Sequence, residues 1–207
     1  MKGTENMKIA VATKNAHKVK ELSKLMSIDG IEFVSLSELG FDGDIEENGT
    51  TFEENALIKA RYVCKEYNLP AISDDSGLCV DALSGEPGIY SARYASVDGG
   101  NSDDRANIDK LLSELKNIPE DKRTARFICA MALCLPDGRE LTVTGKCEGK
   151  IMNEISGKGG FGYDPIFYSF DANKTFGEAS DEEKNKVSHR ANAVKMMSQK
   201  LCELFIK

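Results

Sequence analysis

Two hydrophobic periods alternate along the first half of this 207-residue chain, and that alternation constrains the fold more than any other feature. Lys8 to Ala12 is a short apolar run ending at Thr13, after which Val19, Leu22, Leu25 and Met26 recur at helical spacing. Ile31 to Leu36 reads as the next strand. An acidic, glycine-containing loop, Asp42 to Thr50, then leads into a second helix, with Thr51 and Glu54 as a capping box and Leu57, Ala60, Cys64 and Tyr67 as its stripe. Ala71 to Ser73 reads as a short strand and Asp74 to Gly88, dense in Asp, Ser and Gly, as loop. Ser102 is expected to cap a third helix carrying Ile108, Leu111, Leu112 and Leu115, with Pro119 as its stop.

The second half changes character. Arg126 to Leu135 and Glu140 to Gly149 are strand-like and are joined by Pro136-Asp137-Gly138, a turn that predicts an antiparallel hairpin. A flexible Gly157-Lys158-Gly159-Gly160 stretch precedes an aromatic-rich run, Phe161 to Tyr168, and a polar segment. A last helix from Ser188 aligns Val194, Met197, Leu201, Leu204 and Phe205. Strands alternating with helices early and a hairpin late predict a mixed-sheet α/β fold rather than a purely parallel one.

Composition narrows the function. Hydrophobic residues make up 41% of the chain, enough for a real core. With 27 Lys and Arg against 34 Asp and Glu the net charge is −7, which argues against a general nucleic-acid binder and means that an anionic ligand needs a local basic pocket. The longest apolar run, Phe127 to Leu135, is far short of the roughly 20 residues that span a bilayer. Met1 to Met7 is polar and lacks the apolar stretch of a secretory signal, so the expectation is a cytoplasmic protein that does not engage membranes. The cysteines at 64, 79, 129, 134, 147 and 202 form no Cys-x-x-Cys pair, and the histidines stand far apart at 17 and 189. Reduced, mostly buried thiols are expected and a zinc site is not.

Several clusters carry possible chemistry. Thr13-Lys14-Asn15-Ala16-His17-Lys18 lies where a strand meets a helix N-terminus, a ready anion site, although the glycines of a Walker A loop are missing. An ordinary capped helix start is the plainer alternative. Glu46-Glu47 and Asp74-Asp75-Ser76 supply carboxylates of the kind magnesium prefers beside phosphate, and Asp75 could hold the ion and orient water at once; solvated turn residues are the competing reading. Gly159 to Pro165 sets aromatic rings among glycines, which suits either a flat ligand such as a nucleobase or a glycine-rich hairpin with core aromatics. His189 and Arg190, with Lys184 upstream, place cations at the start of the last helix, where they oppose its dipole and ask for an anion.

Taken in order, Thr13-x-Asn15-x-x-Lys18, Thr51-Phe52-x-Glu54-Asn55-Ala56, Ser73 to Leu78, Pro87 to Tyr94, Phe161-Gly162-Tyr163-Asp164-Pro165 and Ser188-His189-Arg190 closely resemble the inosine/xanthosine triphosphate pyrophosphatase family. The resemblance covers nearly the whole chain. It implies one two-lobed domain over 1–207, with 1–7 as a polar N-terminal extension, built as an elongated mixed sheet with flanking helices around a central cleft. It implies a magnesium-dependent homodimer that splits ITP, dITP and XTP into monophosphate and pyrophosphate, clearing them from the nucleotide pool. Thr13, Lys14, Asn15, Ala16, His17 and Lys18 would then hold the triphosphate and Ser76 would touch substrate. Asp75 would be general base and metal ligand. Glu47 would be the second metal position, with Glu46 leaving the register open by one. Phe161, Gly162, Tyr163, Asp164, Lys184, His189 and Arg190 would bind the rest of the nucleotide.

Physical chemistry agrees with this implication. Hypoxanthine and xanthine present a keto oxygen where adenine presents an amine, so a donor such as Arg190 accepts the former and is left unpaired by the latter, a difference worth up to about 10⁴. Two alternatives stand beside it: a house-cleaning pyrophosphatase for pyrimidine or other modified triphosphates, and a nucleotide-sensing module that binds without turnover.

Overall fold

The computed structural model describes residues 6–15, 18, 22, 25, 26 and 28–205. Strand β1 (Met7–Val11) pairs in parallel with β2 (Ile31–Ser35), from Met7 opposite Ile31 to Val11 opposite Ser35. Met7 therefore belongs to the sheet and not to a polar extension. On its other side β1 pairs in parallel with β3 (Ala71–Val80), Ala10 opposite Ala71 and Val11 opposite Ile72. Of the helix expected after β1, Lys18, Leu22 and Leu25 are helical and Leu22 and Met26 are buried, while Val19 lies outside the described residues.

The later strands are β4 (Thr124–Cys134), β5 (Glu140–Ile151), β6 (Phe167–Ser169) and β7 (Lys174–Thr175). The sheet order is β2-β1-β3-β4-β5-β6-β7, parallel at β2-β1-β3 and antiparallel at β5-β6-β7, which makes it mixed as expected. β4 and β5 form the expected hairpin, closed by Leu135 N–H on the Arg139 carbonyl and Gly138 N–H on the Leu135 carbonyl.

Helix α1 (Phe52–Tyr67) is capped by Thr51, whose hydroxyl accepts from Glu54 N–H. The Glu54 carboxylate turns to the N–H and hydroxyl of Thr50. The buried face of α1 is Phe52, Asn55, Ala56, Lys59, Ala60, Val63 and Cys64, an i, i+3, i+4, i+7 pattern that shares Ala60 and Cys64 with the expected stripe but not Leu57 and Tyr67. Helix α2 (Asp104–Glu114) is capped by Asp103 rather than Ser102, because the Asp103 carboxylate accepts from Ala106 N–H. The polar segment before the last helix contains a helix of its own, α3 (Asp181–Val187), with a complete capping box between Ser180 and Glu183. Helix α4 (His189–Phe205) then starts where expected, Ser188 Oγ accepting from Ala191 N–H.

The largest correction concerns β3, which does not give way to loop at Asp74 but runs through Asp74, Asp75, Ser76 and Gly77 to Val80. Leu78 and Val80 are fully buried, and the polar side chains between are matched by partners from elsewhere in the chain, as described below.

The chain divides into two compact units. The first takes the described residues up to Asp75, Ala130–Gly145 and the chain from Asn192, and buries Ile9, Ile72, Val63, Met131, Leu133, Met197 and Leu201. The second takes Ser76–Cys129 and Lys146–Ala191. Its core gathers Leu78, Leu111, Leu115, Phe127, Ile151, Ile166, Phe167 and Phe176, with the Phe127 and Phe167 rings edge-on at 4.6 Å. Cys64, Cys129, Cys134 and Cys147 are buried, and burial pushes the Cys134 and Cys147 thiols up to about 12 and about 11, which keeps them protonated and unreactive.

Candidate active site

In the first unit, parallel pairing decides where the chemistry collects. β1 and β3 run the same way side by side, so the residues that leave β1, Thr13 to Asn15, emerge on the side of β3 where Asp74 and Asp75 follow its paired residues. Ala12 N–H still reaches the Ile72 carbonyl at 2.7 Å, which fixes the end of β1 against the first residues of β3. Asn15 Oδ1 accepts from Lys18 N–H, the side-chain contact of a helix cap. Lys18 Nζ lies 3.1 Å from Asp74 Oδ2, and Asp74 is fully buried. Lys14 points elsewhere, to Asp44 Oδ1 at 2.9 Å and the Asp42 carbonyl. Ala16 and His17 lie outside the described residues.

Alternation along β3 sends Asp75 to the face opposite Asp74, the face that also carries Ser73, whose hydroxyl bonds the Ala56 carbonyl of α1. There Asn55 Nδ2 donates to Asp75 Oδ2 at 3.2 Å, and Lys59 Nζ stands 3.7 Å from Asp75 Oδ1 and 2.8 Å from Glu47 Oε2. Both adjacent glutamates are exposed, and Glu47 is the one whose carboxylate meets Lys59. The acidic loop is tied down by Gly49 N–H donating to Asn55 Oδ1 at 2.9 Å. A Cβ at Gly49 would fall 2.7 Å from that oxygen, so glycine is required for this approach.

The electrostatics follow from burial. Burial pushes the Asp75 carboxyl above the ordinary aspartate range, against the pull of Lys59 and Lys18. Burial also works against the Lys59 ammonium, but Asp75, Glu47 and Asp74 outweigh it and hold its pKa above the ordinary lysine value. Among the described residues no three His, Cys, Asp or Glu side chains stand together as a self-sufficient metal cage. The oxygen pair Glu47–Asp75 already favours a cation, and two carboxylates are what magnesium takes when phosphate oxygens complete its shell.

The second unit gathers the other expected residues. Lys184 of α3 forms a buried pair with Asp164 at 2.6 Å, under the Phe161 ring at 4.6 Å and the Phe176 ring at 5.5 Å. Asp164 Oδ2 also accepts from Phe161 N–H, and a Cβ at Gly160 would lie 2.1 Å from that oxygen, so the turn needs a glycine there. Gly162 N–H donates to Asp104 at 2.7 Å. Tyr163 is a core ring, 4% exposed, with its hydroxyl donating to the Ser91 carbonyl, which leaves Phe161 as the ring at the turn's surface. His189 stacks on Phe127 at 4.7 Å, and the almost fully buried Arg190 reaches Ser76 Oγ at 3.4 Å.

Sequence reasoning missed Asn55 and Lys59 as site residues. Their signal was present: an amide and an ammonium on an otherwise apolar helical stripe need buried polar partners.

Residues 9–200 match the family described as the Ham1 family. The dITP/XTP pyrophosphatase of Bacillus subtilis is 52% identical over 191 residues, 92% of this chain and 95% of that protein. A dITP/XTP pyrophosphatase of Bacillus cereus is 48% identical, with 98% of both chains covered. Among solved structures, the Staphylococcus aureus Ham1 protein superimposes with a TM-score of 0.85 at 41% identity, covering 95% of this chain and 99% of that one.

Proposed function

The chain belongs to the Ham1 family, and from that membership we propose that it hydrolyses deaminated purine nucleoside triphosphates, ITP, dITP and XTP, to the monophosphate and pyrophosphate. The observation that carries this reading is that the Lys18–Asp74 pair and the Lys59–Asp75–Glu47 cluster stand at adjacent residues of β3, just beyond its pairing with the C-terminal end of β1. Cations there offset phosphate charge, and a carboxylate raised by burial is a better base than an exposed one.

In this reading Thr13, Asn15 and Lys18 hold the triphosphate, and Asp74 fixes Lys18 against it. Asp75 orients a water and accepts its proton as the oxygen attacks phosphorus and the bond between the α- and β-phosphates breaks. Asn55 holds Asp75 through Oδ2, and Oδ1, which faces Lys59, is the oxygen that would meet the water. Glu47 and Asp75 would hold magnesium, which when bound lowers the pKa of water and screens phosphate charge. Within the second unit, Phe161 offers a ring face of the kind a purine stacks on, and Arg190, whose guanidinium reaches Ser76, is of the residue type that donates to a keto oxygen. Lys184 and Asp164 hold the Phe161 turn in shape.

The same reading includes a homodimer, open to test by light scattering, and a cytoplasmic place of action, in keeping with the finding that no helix among the described residues is long and apolar enough to cross a membrane. Pyrophosphate release from ITP, dITP, XTP, ATP, GTP and dTTP with magnesium tests the function. Fast release from the first three is expected; release confined to dTTP, or nucleotide binding with no product, overturns it.

A further inference from the structure

Lys59 is costly where it stands. Its ammonium sits on the buried face of α1, where an apolar side chain of the same length would fill the stripe without losing a hydration shell. It is kept there by two carboxylates from separate parts of the chain, Glu47 at 2.8 Å and Asp75 at 3.7 Å. The third nearby carboxylate, Asp74, has Lys18 at 3.1 Å. With Lys18 beside Asp74, the Glu47–Asp75 pair together with Lys59 carries a formal net charge of −1. The two oxygens that suit a divalent ion are already bridged by a cation.

We propose that Lys59 is the resident counterion of the Glu47–Asp75 pair, so that a divalent ion enters only together with the phosphates that draw Lys59 away. The inference rests on the proposed function and adds an order of binding to it. A bare divalent ion meets a net charge of only −1 and an ammonium at close range, which is an unfavourable exchange. A metal–triphosphate brings its own anions, and a flexible four-carbon stem lets the ammonium turn from carboxylate to phosphate. The geometry permits the exchange without disturbing the base: Asn55 holds Asp75 through Oδ2, while Lys59 faces Oδ1. Glu47, with its side chain 37% exposed on the acidic loop, is free to re-aim. Metal and nucleotide therefore bind with positive, reciprocal coupling.

The test titrates Mn²⁺ alone, without nucleotide, into wild-type protein and Lys59→Met, following the signal of free aqueous Mn²⁺ by electron paramagnetic resonance, with melting temperature against MgCl₂ as a second readout. Lys59→Met should hold Mn²⁺ at least about tenfold more tightly, since one like charge is gone from close range. Its melting temperature should climb with MgCl₂ while that of the wild type stays level, and the charge-conserving Lys59→Arg should behave as wild type. Wild-type protein that binds Mn²⁺ as tightly as Lys59→Met, or a Lys59→Met that gains nothing, overturns the proposal. Lys59→Gln repeats the test if Lys59→Met does not fold by circular dichroism. Wild-type pyrophosphate release from dITP is measured in parallel: no release with the Mn²⁺ series as expected removes the function and keeps the counterion, and release with a flat Mn²⁺ series does the reverse.

Discussion

Each unit buries a lysine against an aspartate, and the two pairs are built for different ends. Lys184 and Asp164 are closed: 2.6 Å apart, 7% and 3% exposed, walled by Phe161 and Phe176, with Asp164 also holding the Phe161 N–H. Lys59 is shared between carboxylates at 2.8 and 3.7 Å, and one of them, Glu47, still faces solvent. A short, fully enclosed pair fixes backbone. A long, shared and partly open one can change partners, which is what a site that must admit phosphate and metal requires.

The comparison breaks first at Asp75. Asp75→Asn keeps the size and the Asn55 contact but removes the base, so turnover should fall by about 10²–10⁴ while nucleotide binding and melting temperature stay near wild type. Near-normal pyrophosphate release in this variant would remove Asp75 from the chemistry. In the free enzyme the carboxyl is raised by burial, so the acid limb of kcat/KM should lie above the ordinary aspartate value of about 3.9, falling as pH drops through the raised pKa and Asp75 takes a proton.

The closed pair should answer with stability instead. Asp164→Ala leaves the Lys184 ammonium buried without its carboxylate and should cost about 3–5 kcal/mol in denaturant unfolding. Replacing both at once, Lys184→Met with Asp164→Leu, should cost less than Asp164→Ala alone, because no charge is left stranded. If the double variant is the less stable, the pair is worth more than its burial argument allows.

A finer cut separates neighbours. Glu47→Gln should lower kcat/KM about tenfold at limiting magnesium, with partial recovery as magnesium rises, whereas Glu46→Gln should stay within about twofold. Equal losses in both would place the metal function on the acidic loop as a whole rather than on the side chain that meets Lys59.

What the sequence reveals follows the same divide. Strands β1, β2, β4 and β5 and helices α1, α2 and α4 announce themselves by local period and turn chemistry, and the six motif blocks carried the family resemblance. β3 did not, because Asp74, Asp75, Ser76 and Gly77 have the composition of a loop; Lys18, Asn55 and Lys59, the side chains that make a buried strand of them, come from elsewhere in the sequence. Asn55 stands in one of those blocks without showing its role, and Lys59 is legible as a polar intruder on the buried stripe, a signal that a stripe through Leu57 and Tyr67 obscures. Helix α3 has a local signal too, since Ser180 and Glu183 spell a capping box three residues apart within a segment whose composition reads only as polar.

That capping box gives the smallest effect in the series. Glu183 accepts from Ser180 N–H at 2.9 Å and from Lys174 Nζ at 2.8 Å, and the Lys174 bond, followed by the Ser180 N–H, holds its pKa down to about 2 from 4.5. A carboxylate depressed in the folded state adds stability that is present above its unfolded pKa and is lost as pH falls from 4.5 toward about 2. Glu183→Gln keeps the acceptor oxygen of the box but not the charge, so its melting temperature should lie slightly below wild type at neutral pH and converge on it as pH falls to about 2. Because Glu183 is exposed, salt should shrink the difference as well. A gap that persists unchanged at low pH would mean that the box holds α3, and with it Lys184, by shape alone.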